Sequence, residues 1–180
     1  MFKIVKDNAK SIHAICKPVS LPVSKEDQET LFEMLQYLKD SQDEEFRKKN
    51  PKVREGVGLA APQIGLNKQM LVVYYKQDDK EVKHLLINPK IIVSSVRKAY
   101  LANGEGCLSV DKEHPGYVIR DYRIVVRAID GESLQEVDVK AFGYEAIVLQ
   151  HEIDHLKGVL FYDHIDPKNP YAHPDNAVEI

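Results

Sequence analysis

Residues 151–161 read HEIDHLKGVLF, and the spacing of the two histidines constrains this chain more than any other feature. His151 and His155 are four apart, so on a helix they stack on one face with Cβ atoms about 5–6 Å apart. Two imidazoles so placed can reach a single metal ion. Glu152 is rotated too far round the helix to be a third ligand, yet lies close enough to act as a general base on a water at the metal. In the extended zinc-protease pattern a third histidine stands three residues after the glycine. Here that position is Phe161. Two histidines do not complete a catalytic site, so another segment must fold back against this helix and bring a third ligand with it.

The candidates lie on both sides. Downstream are Asp163, His164 and Asp166, positions from which several kinds of zinc peptidase draw a third ligand. Upstream is Cys107 in NGEGCLSV, where Gly104 and Gly106 free the backbone for a close approach. One thiolate with two imidazoles is a near relative of the Cys2His zinc set. The other cysteine, Cys16, reads as a small buried hydrophobe, and two thiols this far apart do not read as a disulfide framework. A third stretch, GVGLAAPQIG over residues 56–65, has almost no bulky side chains. Such a strip lets a substrate backbone lie against the main chain, with the Gln63 carboxamide as a candidate oxyanion donor.

Around these motifs the chain reads as one domain spanning residues 1–180. At 180 residues, 43% hydrophobic and 29% charged, it is long enough to bury a core. A formal net charge of −3 provides no electrostatic footprint for nucleic acid. MFKIVKDNAK lacks the apolar run of a signal peptide, and no run of about 18 apolar residues suggests a membrane span. The expected setting is soluble and cytoplasmic.

Ser24, with Asp27 three residues on, marks a helix start, and Leu31, Met34, Leu35 and Leu38 give that helix a buried face. The densely charged DSQDEEFRKKNPKVRE reads as a solvated helix end plus loop. QMLVVYY, HLLINPKIIVSS, GYVIR, RIVVRAID and QEVDVKAF read as strands. A helical period returns from Tyr144 to Lys157, and Gly158 sits where a glycine stop belongs. The expected class is α+β, with mostly antiparallel sheet packed around a C-terminal metal-binding helix and with an N-terminal helix.

GVGLAAPQ, EGCLS and QHEIDH, in that order, resemble the three signature motifs of the peptide deformylases. The resemblance covers nearly the whole chain, and EGCLSVDKEHPGYVIR with the charged insertion before Gly56 is similar to the subgroup common in Gram-positive bacteria. It implies Cys107, carried on a strand, as the third ligand beside His151 and His155. It also implies removal of the formyl group from the N-terminal methionine of nascent chains, releasing formate.

The same resemblance implies Fe2+ as the metal, with Zn2+, Ni2+ or Co2+ able to substitute, and a bacterial cytoplasm with transient contact to the ribosome. Glu152 is then the acid–base group, with Gln63 and the Leu108 N–H stabilising the oxyanion. Val57, Gly58, Ile147 and Val148 are candidates to line the methionine pocket. Glu105, Gln150 and Asp154 are candidates to hold the ligands, with Arg120 paired to Glu105. The alternative from the residues alone is an HExxH zinc peptidase whose third ligand is Asp163, His164 or Asp166.

Overall fold

The computed structural model describes residues 2–77 and 79–180. The first long helix, α1, spans Lys25–Gln42. Ser24 caps it by accepting the Asp27 N–H at 3.1 Å, which satisfies one of the free donors of the first turn. Its apolar stripe, with Leu31, Met34 and Leu38, is fully buried.

The charged stretch that follows is more ordered than its composition suggests. It contains a second helix, α2 (Glu44–Lys49), where the sequence had suggested only a helix end and loop. Asp43 caps α2 through the Phe46 N–H. Glu44 and Glu45 sit at its start and Arg47, Lys48 and Lys49 at its end, which complements the helix dipole in one short segment.

Strands β1 (Gly58–Ala60), β2 (Met70–Gln77), β3 (Lys80–Ser94), β4 (Lys98–Tyr100), β5 (Arg120–Asp121), β6 (Arg123–Asp130) and β7 (Glu136–Phe142) follow. Helix α3 (Gly143–Leu156) and strand β8 (Val178–Glu179) complete the order. One sheet runs β1-β2-β3-β6-β7, antiparallel throughout. A smaller sheet runs β5-β4-β8, with β4 and β8 parallel. GYVIR, expected as a strand, contributes only Arg120 to β5. Its earlier residues are tied elsewhere, the Tyr117 N–H donating to Pro170 O at 2.7 Å.

Strand β2 is the middle layer. Alternate residues point to opposite faces: Met70, Val72 and Tyr74 pack with Leu31, Met34 and Leu38 of α1, while Leu71, Val73 and Tyr75 pack with Leu149, Ile153 and Leu156 of α3. This explains why MLVVYY is apolar without alternation. Cys16 lies buried in the α3-side core. The chain turns out of helix α3 at Gly158, whose φ is +73° and where an added Cβ would lie 2.3 Å from His13 O. The chain can leave the helix there only as glycine. With α3 locked against β1 and β2, its histidine face is held toward the 101–118 loop.

Candidate active site

Gln150, His151, Glu152 and His155 are all buried on α3. Cys107 faces the two histidines, and donor atoms of Cys107, His151 and His155 lie within 4.8 Å of one another. The Cys107 Sγ is 3.3 Å from His155 Nε2. The strand expected to carry Cys107 is absent: between β4 and β5 the chain makes turns, and Cys107 sits in them.

The donor set fits a divalent ion. His151 Nδ1 is engaged by Glu105 Oε2 at 2.8 Å, which leaves Nε2 facing the thiol. Burial pushes His151 toward neutrality, yet Cys107 and Glu105 together raise it well above the usual histidine range. Burial and the neighbouring His151 drive His155 the other way. What suits such an ion is the donor set itself, one sulfur and two imidazole nitrogens close together, with Glu105 fixing the His151 ring.

The rival ligands are occupied elsewhere. Asp163 Oδ2 accepts the Leu160 N–H at 2.8 Å, His164 Nε2 meets Asp154 Oδ2 at 2.7 Å, and Asp166 accepts the Lys168 N–H at 2.8 Å. None joins the Cys107–His151–His155 cluster.

Behind the ligands lies a buried charge network. Arg120 bonds Glu105 through two nitrogens, Nη2 to Oε2 at 2.9 Å, and reaches Asp154 Oδ2 at 2.8 Å. Burial alone would raise both carboxyls, but Arg120 and His151 hold Glu105 down to about 2, and His164 and Arg120 hold Asp154 down to about 2. The Arg120–Glu105 pairing expected from the sequence is present. Gln150 does not hold a ligand: its side chain bonds both Asp121 N and Asp121 O at 2.9 Å, fixing β5 beside Arg120. Asp154 likewise touches none of the three donors and bonds Arg120 and His164 instead.

Glu152 faces the other side of the site. Burial pushes its carboxyl up to about 7, against the pull of His151 and Arg120, and its Oε2 has no hydrogen-bond partner. Its neighbour is Gly58, where an added Cβ would lie 2.2 Å from Oε1. Gly58, expected as pocket lining, therefore also makes the space that Glu152 occupies. Gln63, on the 3-10 turn Ala61–Ile64, accepts the Ala60 N–H at 2.8 Å through Oε1. That bond turns the amide nitrogen toward Ser109 Oγ (3.2 Å) and Cys107 Sγ (3.6 Å).

A cavity of about 350 Å³ opens over these groups, and Val57, Gly58, Ile147 and Val148 all line it. Arg54, Leu101 and Tyr144 also line it, and sequence reasoning did not single them out. Ser109, the last residue of EGCLS, was likewise overlooked; a hydroxyl two residues from Cys107 was the available signal. Arg54 carried no signal, standing in a charged run.

A thiol and two imidazoles, one of them held by the buried Glu105, with the partnerless Glu152 Oε2 in the same cavity, are equipment for metal-assisted hydrolysis of a small acyl group. Residues 1–171 match the polypeptide deformylase family model, and the chain belongs to that family. It is 49% identical to peptide deformylase 2 of Bacillus cereus over 98% of this chain and 96% of that protein. It is 49% identical to the peptide deformylase of Lacticaseibacillus casei over 100% of this chain and 98% of that one. The crystal structure of the Thermus thermophilus peptide deformylase superposes with a TM-score of 0.75 at 27% identity, covering 93% of this chain and 87% of that one. The activity is that of a metal-dependent hydrolase that removes the N-formyl group from nascent proteins, and the zinc-peptidase alternative gives way to it. Among the described residues no helix is long and apolar enough to cross a membrane.

Proposed function

We propose that residues 1–180 act as one catalytic domain in which Cys107, His151 and His155 hold a single Fe2+, with Zn2+, Ni2+ or Co2+ as substitutes. The observation that carries this reading is the convergence of three donors within 4.8 Å beside the unpartnered Glu152 Oε2. When bound, the metal supplies a Lewis acid and a water of lowered pKa. Glu152 takes the proton from the attacking water and returns it to the departing amine. Its raised pKa, about 7, suits a group that must be base and then acid near neutrality. As the formyl oxygen becomes negative, the Gln63 amide and the Leu108 N–H donate to it.

Val57, Ile147 and Val148 shape the apolar pocket for the methionine side chain, and Gly58 leaves the formyl end little room beyond the carbonyl. Glu105 orients His151, with Arg120 and Asp154 behind it. The setting is the bacterial cytoplasm, with transient contact to the ribosome. Iron in place of zinc rests on the family, because raw affinity for such donors favours zinc.

Formate release from formyl-Met-Ala-Ser tests the reading. Protein purified without air is expected to carry one iron per chain, to act far faster on formyl-Met than on acetyl-Met peptides, and to lose activity in air unless exchanged to Ni2+ or Co2+. Full-speed deformylation by air-stable, zinc-only protein would defeat the metal assignment.

A further inference from the structure

The charged run 40–55 braces the rim of the cavity. Arg47 lies 3.2 Å from Glu55, Ser41 Oγ accepts the Gly56 N–H at 3.2 Å, and Gln42 Nε2 donates to Gly56 O and Tyr74 O at 2.9 and 2.7 Å. Held by this bracing, Arg54 directs Nη2 onto the carbonyls of Cys107 and Val110, the latter at 3.1 Å. The Val110 N–H donates to the same Cys107 carbonyl at 3.2 Å.

A trans peptide is planar, with its C=O and N–H pointing in opposite directions. Pinning the Cys107 carbonyl outward therefore turns the Leu108 N–H the other way, and Leu108 borders the cavity. The next peptide unit displays the same arrangement complete. Lys6 Nζ holds the Leu108 carbonyl at 2.9 Å, and the Ser109 N–H on the far side meets Cys107 Sγ at 3.4 Å. Two cations thus grip the Cys107 and Leu108 carbonyls of the ligand loop, while the Ser109 N–H faces the sulfur and the Leu108 N–H points away from the Arg54 side. Among the described residues, no backbone carbonyl takes the Leu108 N–H.

We infer that Arg54 is a positioning residue for deformylation: by clamping the Cys107 and Val110 carbonyls it aims the Leu108 N–H at the developing oxyanion. The charged insertion is then the mount for this clamp. The inference rests on the Leu108 donor role proposed above. Without the clamp, the peptide between Cys107 and Leu108 can rock, and donation in the transition state weakens more than ground-state binding does.

The test is Arg54→Met and Arg54→Lys in metal-loaded full-length protein, with kcat, KM, metal per chain and thermal midpoint measured for each. Arg54→Met is expected to lower kcat about 10- to 100-fold, part of the roughly 10²–10³ that a whole oxyanion donor contributes. KM, metal content and midpoint should stay near the parent values, and Arg54→Lys should restore part of the loss through its single ammonium. A companion protein carries, in place of Leu108, its α-hydroxy acid analogue (2-hydroxy-4-methylpentanoic acid), which replaces the N–H with an ester oxygen. If the ester lowers kcat and Arg54→Met adds nothing in that background, the two act as one unit and the inference stands. If the ester lowers kcat but Arg54→Met does not, or if the two losses add, Arg54 is not the clamp although Leu108 is a donor. A silent ester removes the donor role itself, and the inference with it. A rise confined to KM, or metal lost with the guanidinium, also overturns it by placing Arg54 on the substrate or on the ligands.

Discussion

Helices α1 and α3 pack on opposite faces of the same strand, β2, yet they spend their polar residues differently. On α1 most charged groups point to water, as with Lys25 and Glu29 at 3.3 Å and largely exposed, and the buried side is apolar apart from Asp27, paired with Lys68, and Ser41. On α3 four polar side chains are buried, and burying such groups is costly unless they are paired. The two helices teach that a scaffold helix minimises buried polarity, whereas a catalytic one keeps it and depends on partners from elsewhere. Those partners are Glu105 for His151, Cys107 for His155 and Asp121 for Gln150, all from the segment between β4 and β5 or its edge.

The largest contrast is expected at Glu152. Glu152→Gln keeps the shape and the space beside Gly58, so metal per chain should be unchanged while kcat falls about 10²–10⁴-fold, the range for a lost general acid–base group. No equally conservative change on α1 should approach this. If the metal leaves with the carboxylate, Glu152 belongs among the ligands and the role assigned to it is wrong.

Next is the network behind the ligands. Arg120→Met leaves Glu105 and Asp154 buried without their cation and should cost about 3–5 kcal/mol, as broken buried pairs do. Metal affinity should weaken about 10- to 100-fold through His151. The same pair sets acid behaviour. Both carboxyls lie below their ordinary range in the folded state, so they stabilise it at higher pH and lose that contribution as pH falls from the carboxylate range toward about 2. Arg120→Met should therefore move acid unfolding to higher pH. An unchanged acid midpoint, followed by circular dichroism, would show that the network does not couple to folding.

On α1 the effect should be on stability alone. Leu31 is fully buried among Met34, Leu85 and Gly131, and Leu31→Ala should cost about 2–5 kcal/mol. Rate per folded molecule should hold, measured by urea unfolding beside kcat. A matching loss of kcat would mean that α1 reaches the site and would blur the contrast between the helices. The smallest effect belongs to Lys25→Ala, expected to change stability by under about 0.5 kcal/mol, as exposed i,i+4 pairs do.

Local pattern carried much of this protein by itself. The Ser24 cap and the stripe from Leu31 to Leu38 are written within one helix, as are the His151–His155 spacing and the Gly158 stop, because caps and period depend on near neighbours. The separation of three motifs in order was likewise legible without coordinates. Tertiary structure alone decided which face each motif meets. It put Gly58 against Glu152, turned Gln150 from the ligands to Asp121, and placed Arg54 over the Cys107 carbonyl. It also made β2 a middle layer and reduced GYVIR to one strand residue. These outcomes depend on strand register and on where distant segments return, and a one-residue change in register sends a side chain to the opposite face. A linear pattern records how often a residue faces inward. Which atoms it finds there is settled only when the chain closes on itself.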